Sequence, residues 1–470
     1  MVEQSTHWPQ RPGDAHAPEA SGAARVVVTG VGIVSPLGPL PAFWDGLCSG
    51  TSAVAPIDAF DPGPTPPRCA ARVRDFHPKD HIPRALLRRM DRLSQMVVTA
   101  CRTALADAAL AFTAAEAEEA GIVVGTAFGN LVESEEFLRG LFAKGPALTN
   151  PLTFPNLVLN APAGYVAIDL GLRGPNLTVC CGEASGEAAL AVAYDTIVSG
   201  QGDVLLAGGG DEIAPVLFHI YKDLGVLSPA GGRTRRYTVD AGAPEPRHAE
   251  APEWSSPFDR HRNGVVMGEG AAMLVLERAD RAAARGAPVY AELAGYATRA
   301  VAASPHDWPA PHAAASEETA CQLSALGWGG PGTGAGTDPD RRPLASGAGN
   351  SARASDLVVS CANSTRQLDG FEAAHLATIL GEGASRALVT SIKGAIGDFG
   401  AAGAFSAAAA VLALRHGTVP CLGALREADP VCALRLAAPG TAAPEHGFRS
   451  ALVSASPRGG ACMTLYFRGV

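Results

Sequence analysis

Short apolar strings broken by glycine recur along this chain: Arg25–Ser35 (RVVVTGVGIVS), Gly121–Ala127 (GIVVGTA), residues 176–181 (NLTVCC) and Gly202–Gly210 (GDVLLAGGG). They show no polar alternation, so both faces of each string are expected to be buried, as in strands enclosed within a sheet. Segments with a different period lie between them. Residues 85–110 (ALLRRMDRLSQMVVTACRTALADAAL) place apolar side chains three and four apart, which predicts an amphipathic helix. Residues 184–198 (ASGEAALAVAYDTIV) predict a helix crowded with small residues.

The rhythm repeats past residue 277. Val289–Gly295, Leu357–Cys361 and Ala387–Ser391 read as strands, and Phe371–Leu380 and Ala401–Leu414 as helices. Ala451–Ser454 and Cys462–Phe467 read as a terminal β pair. Strands alternating with helices predict an α/β fold with mostly parallel sheets, and the similar order of the two halves predicts a duplicated core. The expected divisions are a disordered tail over 1–24, one half over 25–277 with a surface insertion at 228–256, and a second half over 278–470 with a mobile loop at 329–355.

Composition excludes several classes of function. The chain has 470 residues with a net charge of −9, so no general field draws nucleic acid or an anionic membrane. No apolar run reaches the ~18 residues of a membrane span. Residues 1–24 lack an apolar core, so they are not expected to be a signal peptide. Ten cysteines without a C-x-x-C pair argue against a zinc ribbon or a thioredoxin-type site, and they suit the reduced thiols of a cytoplasm. The glycine-rich words at 208–210 and 332–336 lack the strand–loop–helix and Lys-Ser/Thr setting of a phosphate cradle. His306, Trp308 and His312 have metal-like spacing, but prolines between them forbid a helix, so no metal and no cofactor is expected.

Longer words identify a family. VVVTGVGIVSPLG at 26–38, GLRGPNLTV at 171–179, PFDRHRNGVVMGEGAAMLVLE at 257–277, SIKGAIGDFGAAGA at 391–404 and SPRGGA at 456–461 resemble the β-ketoacyl synthases of the thiolase-fold superfamily. The resemblance runs from Arg25 to the C-terminus. It implies a thiolase-like, five-layered α-β-α-β-α core of duplicated halves, pairing as a dimer across a central strand, and decarboxylative condensation of acyl chains.

That reaction needs a cysteine at a helix N-terminus, where the dipole lowers the thiol pKa, and two histidines that donate to an enolate. Matched to the family's motifs, the nucleophile position holds Glu183, next to Cys181. The first histidine position holds Asn363, or Ser364 if the match slips by one. The second holds Asp398, following Lys393 in the family's K-x-x-x-G-H pattern, and the family's later glutamate is Ser406. Arg458 replaces the phenylalanine of the C-terminal turn that gates the pocket. Read as four independent substitutions, these argue for an abandoned active site with no catalytic residue. Glu183 is expected to fill the pocket and accept backbone N–H bonds, and Lys393 to pair with Asp398 or Glu183. Cys180 and Cys181 are expected to pack as small apolar residues at a strand end.

The pattern is similar to the chain length factors of type II polyketide synthases, although those typically carry glutamine at the nucleophile position. A branch making reduced or polyene chains fits as well. The resemblance implies an active ketosynthase subunit as heterodimer partner and an acyl carrier protein bearing the growing chain. It places Asn130, Glu133 and Phe137, spaced i, i+3, i+7, along the substrate tunnel, with Phe137 as a steric stop. Two alternatives stay open: a malonyl-carrier decarboxylase that supplies primer, and an active condensing enzyme using Cys181.

Overall fold

The structure is a computed structural model that describes residues 24–229, 252–328 and 356–470. The expected tail up to residue 23, most of the 228–256 insertion and the whole 329–355 loop lie outside the described residues.

Twelve strands are described: β1 (Val26–Val34), β2 (Val54–Pro56), β3 (Cys69–Ala71), β4 (Gly121–Gly125), β5 (Asn176–Val179), β6 (Val204–Asp211), β7 (Gly270–Arg278), β8 (Ala291–Ala300), β9 (Leu357–Val359), β10 (Leu388–Thr390), β11 (Ser450–Ala455) and β12 (Ala461–Arg468). β2 and β3 form a small separate pair, and the other ten form one ladder, β10-β9-β11-β12-β8-β1-β7-β6-β4-β5. The ladder contains the same pattern twice. In β5-β4-β6-β7-β1, β4 runs parallel to β5 and β6, while β7 is antiparallel to β6 and β1. In β10-β9-β11-β12-β8, β9 runs parallel to β10 and β11, while β12 is antiparallel to β11 and β8. The two units meet where Val26–Val28 pair with Ala291–Leu293.

The expectation of mostly parallel sheets is therefore corrected to mixed sheets. The link from β11 to β12 is only Ser456–Gly460, and a connection that short can join only antiparallel neighbours.

Helices Ser185–Val198 and Ala402–His416 each touch strands of both units and form the middle layer. Helix Arg92–Asp107 covers β1 and β7 on one outside, beside helix Ala161–Leu170. Helices Ala313–Ala325 and Arg366–Leu380 cover the other unit. The result is the five-layered α-β-α-β-α arrangement. A middle helix has no solvent face, and every residue from Ala402 to Ala413 is buried. The predicted helix over 85–110 breaks before Arg92. Asp91 acts as its N-cap, accepting from the Ser94 N–H at 2.8 Å and from the Ser94 hydroxyl at 2.6 Å. Such a cap contributes about 1 kcal/mol. Among the described residues no helix is long and apolar enough to cross a membrane.

A titratable carboxyl is buried inside the middle layer. Glu187 is buried on helix Ser185–Val198 against Gly403 of its neighbour, where any side-chain carbon would collide with the carboxyl. Its Oε2 has no hydrogen-bond partner. Burial pushes the carboxyl up to about 7, with Lys393 pulling the other way. The folded chain therefore keeps this proton where the unfolded chain, near 4.5, has released it, so stability falls as pH rises through that window. Glu187→Gln should remove this slope. Relative to wild type, the variant should gain about 1 kcal/mol in denaturant unfolding between about pH 6 and 8. An unchanged difference across that range would mean the carboxyl is already ionised in the fold.

Candidate functional site

The turn that follows β5 sets the first side chain of the site. Gly182–Ala184 form a single 3₁₀ turn leading into helix Ser185–Val198. The Ser185 hydroxyl accepts from the Cys181 N–H at 3.0 Å and donates to the Gly182 carbonyl at 2.7 Å. This clamp aims Glu183 into a cavity of about 290 Å³ that Asp398 and Arg458 also line.

Arg458 arrives from the β11–β12 turn. Gly459 and Gly460 follow it at φ 81° and 83°, a left-handed region that side chains rarely adopt, and this lets so short a link reverse. Its guanidinium is ion-paired with the Glu183 carboxylate, its own N–H donates to Glu183 Oε2 at 3.2 Å, and it lies 4.0 Å from the centre of the Trp308 ring. Glu183 takes its backbone N–H from Arg458, not from the helix that it precedes. Arg458 is held on two sides inside the cavity, because a half-buried carboxylate requires a cation there.

The second cluster stands opposite. A bridge to Met267 holds Asp398, with the Asp398 N–H donating to the Val266 carbonyl at 2.8 Å. Lys393 Nζ reaches Asp398 Oδ1 at 2.7 Å, which selects one of its two expected partners. Burial works against the ammonium, but Asp398, Cys361 and Glu187 together hold it above its ordinary value. Asn363 Nδ2 donates to Asp398 Oδ2 at 2.8 Å. The Asn363 carbonyl oxygen accepts from the Thr365 hydroxyl at 2.7 Å, which fixes which end of the amide donates. Ser364 turns away and accepts from the Ser256 N–H, so the residue facing the cavity cluster is Asn363.

The four substitutions are therefore not independent. The nucleophile and gate positions form one ion pair, and the two histidine positions form one hydrogen-bonded pair anchored on Lys393. Glu187, which sequence reasoning missed, is a carboxylate that Lys393 feels while Ser406 stands at the family's glutamate position. The signal was a lone glutamate in a helix of small residues. Tyr221, Glu212 and Trp308 were also missed as parts of the site. Tyr221 and Glu212 line the cavity, and burial pushes the Tyr221 phenol up to about 12.

Other expected residues lie elsewhere. Cys180 and Cys181 are exposed, in contrast to the expected packing, because among the described residues nothing covers this flank of β5. Partial burial, then Cys180, pushes the Cys181 thiol up, the opposite of what a nucleophile needs, and Cys181 does not line the cavity. Asn130 is buried just before helix Leu131–Lys144 instead of on it. Burial, then Asp91 and Glu136, raises the Glu133 carboxyl. The Phe137 ring lies 6.1 Å from that of Phe154, at the edge of an exposed apolar face with Phe142, Leu148, Leu152 and Ile168. His312 caps helix Ala313–Ala325, its Nδ1 accepting from the Ala315 N–H at 3.2 Å. Among the described residues no group of three or more His, Cys, Asp or Glu could hold a metal ion.

Known proteins share both the sequence and the fold. Residues 23–282 match the Beta-ketoacyl synthase, N-terminal domain, and residues 342–425 match the Beta-ketoacyl synthase, C-terminal domain. The chain is 31% identical over 413 residues to the 3-oxoacyl-[acyl-carrier-protein] synthase 2 of Synechocystis sp., covering 87% of this chain and 90% of that protein. It is 35% identical over 423 residues to the "Putative polyketide beta-ketoacyl synthase 1" of Streptomyces halstedii, again covering 87% and 90%. Among solved structures, the ishigamide ketosynthase/chain length factor superposes with a TM-score of 0.77 at 27% identity, over 96% of this chain and all of that one. On its motifs, its layered fold and these matches, the chain belongs to the β-ketoacyl synthase family.

Proposed function

We propose that this chain is the non-catalytic partner of an active ketosynthase in a type II polyketide synthase, where it shapes the tunnel and sets chain length. The observation that carries the reading is the Glu183–Arg458 ion pair at the place of the nucleophile. An acyl group on that carboxylate would be a labile mixed anhydride, and forming it would strand the guanidinium. Among the described residues no imidazole lines the cavity. The one amide at a histidine position already donates to Asp398. An enolate placed here would find that amide engaged and no imidazole to donate to it among the described residues, so the geometry disfavours the primer-decarboxylase alternative. The raised Cys181 thiol disfavours the Cys181 alternative.

A partner is supported by surface chemistry. Phe142, Leu148, Leu152, Phe154, Ile168 and Leu177 are all exposed within residues 142–177, and among the described residues β5, which carries Leu177, has a free strand edge. A second ketosynthase-type chain covers such a face by pairing strand to strand. In this reading the halves 25–277 and 278–470 build one protomer of the pair, Asn130, Glu133 and Phe137 line the tunnel, and carrier protein brings the chain to the partner's cysteine. The pair works in the cytoplasm, where ten free thiols stay reduced.

Co-expressed with an active ketosynthase chain of the same system, the protein should purify as a one-to-one complex. Phe154→Asp or Ile168→Asp should weaken that complex by at least about tenfold, since each buries a lone charge in an apolar contact. Recovery of this chain without the ketosynthase, at any ratio of expression, would overturn the reading.

Given labelled malonyl- and acetyl-carrier protein, the complex should carry its acyl label on the ketosynthase, with none on Glu183 or Cys181 by peptide mass spectrometry. CO2 release should be unchanged by Glu183→Ala. An adduct on this chain, or release that needs Glu183, would restore a catalytic role.

Phe137→Ala should shift the product of the complex to longer chains. An unchanged length distribution removes Phe137 as the stop.

A further inference from the structure

Two segments meet at the edge of the cavity. Residues 301–308, which follow β8, run against the β11–β12 turn. The Val301 N–H donates to the Gly460 carbonyl at 2.8 Å, and the Gly459 N–H to the Asp307 carbonyl at 3.1 Å. The approach is so close that a side-chain carbon on Gly460 would collide with the Val301 carbonyl. Pro305 lines the cavity, yet it is exposed, as are Ser304, His306 and Asp307, so this strap stands between cavity and solvent. Trp308 is its buried anchor, packed with Cys361 and Leu368, and the indole N–H there has no hydrogen-bond partner. An unmet donor makes that anchor weaker than its packing alone would give.

Arg458 ties the pieces together. Its guanidinium lies 4.0 Å from the centre of the Trp308 ring on the strap, and it pairs with Glu183 on the cavity wall. Among the described residues it is the one cation that lines the cavity, and Lys393 is committed to Asp398, so Glu183 has no other cation to turn to. We propose that Arg458 is a latch, which holds the 301–308 strap and the 457–460 turn shut over the Glu183 cavity and keeps pantetheine-borne chains out of this subunit.

Opening has to part the guanidinium from the indole or from the carboxylate. Parting from the indole loses a cation–π contact and uncovers an apolar ring. Parting from the carboxylate leaves a half-buried charge on each side. Gly459 and Gly460 give the turn the freedom to pivot, and the latch removes it. An apolar side chain at residue 458 would have no carboxylate to hold and would move with the turn. The closure rests on the proposed function only in what it shuts out: a carrier-borne chain excluded here has the partner's cavity alone to enter.

The test uses the full-length chain alone. Amide hydrogen exchange read by mass spectrometry should find residues 299–308 and 456–462 protected together. Arg458→Met should speed exchange in both segments by at least about tenfold, with helix Ala402–His416 unchanged. Glu183→Gln combined with Arg458→Met leaves no lone charge and should do the same, which separates release of the latch from misfolding of the single variant. Access is read by alkylation. Leu217→Cys, on the cavity wall, should react with a pantetheine-linked maleimide at least about tenfold faster in the Glu183→Gln/Arg458→Met background than in the wild-type one. Unchanged exchange, a rise confined to one segment, or equal alkylation in the two backgrounds would refute the latch. Neither ketosynthase nor carrier protein is present, so failure here leaves the copurification result standing, and failure of copurification leaves this result standing.

Discussion

A lysine with no access to water governs the site. Lys393 is 2% exposed, and an ammonium so placed persists only with carboxylates beside it. Asp398 at 2.7 Å meets that need directly, and Glu187 adds to it from the neighbouring middle helix. Asp398 therefore cannot be regarded as a free variation at a histidine position. It is the counter-ion of a buried cation, and Asn363 is in turn the donor for its second oxygen. From Lys393 outward, each group leaves its neighbour one acceptable partner, and the chain of requirements ends at the cavity wall.

The same logic binds Glu183 to Arg458. Restoring a cysteine at residue 183 alone would leave the Arg458 guanidinium on Trp308 with no anion. Restoring a histidine at residue 398 alone would leave Lys393 with Glu187, whose carboxyl already resists ionisation. Breaking one member of a buried pair typically costs about 3–5 kcal/mol, more than the surface exchange of one residue for another. Placing a thiol and two imidazoles at these positions thus needs paired changes at both clusters.

Much of the architecture was readable in the residues. The uninterrupted apolar strings of β1, β4 and β6 had to be enclosed strands, and the small-residue helix over 184–198 had to be enclosed on every side. Strand direction was not readable, because a buried antiparallel strand such as β7 is as uniformly apolar as a parallel one. The break at Asp91 was legible as a cap signal inside a helical period. The site was legible position by position but not as a set. Glu183 and Arg458 stand 275 residues apart, and no local pattern couples them. Only opposite charges at two matched positions pointed to a contact. Cys180 and Cys181 misled for a different reason. Their apolar setting suits a buried strand, yet β5 is the end of the ladder and is left uncovered among the described residues.

That edge links surface to cavity. β5 ends at Val179, and Glu183 follows four residues later, after the Cys180–Cys181 step and the turn at Gly182. The clamp from Ser185 to Cys181 and Gly182, the Ser185 hydroxyl's contact with the Thr126 carbonyl and the Glu183–Arg458 pair hold this turn. A strand laid along β5 would fix Asn176–Val179 in place and stiffen the turn that carries Glu183. A strand added at that edge would therefore act only four residues from Glu183, on the turn that sets the Glu183–Arg458 contact.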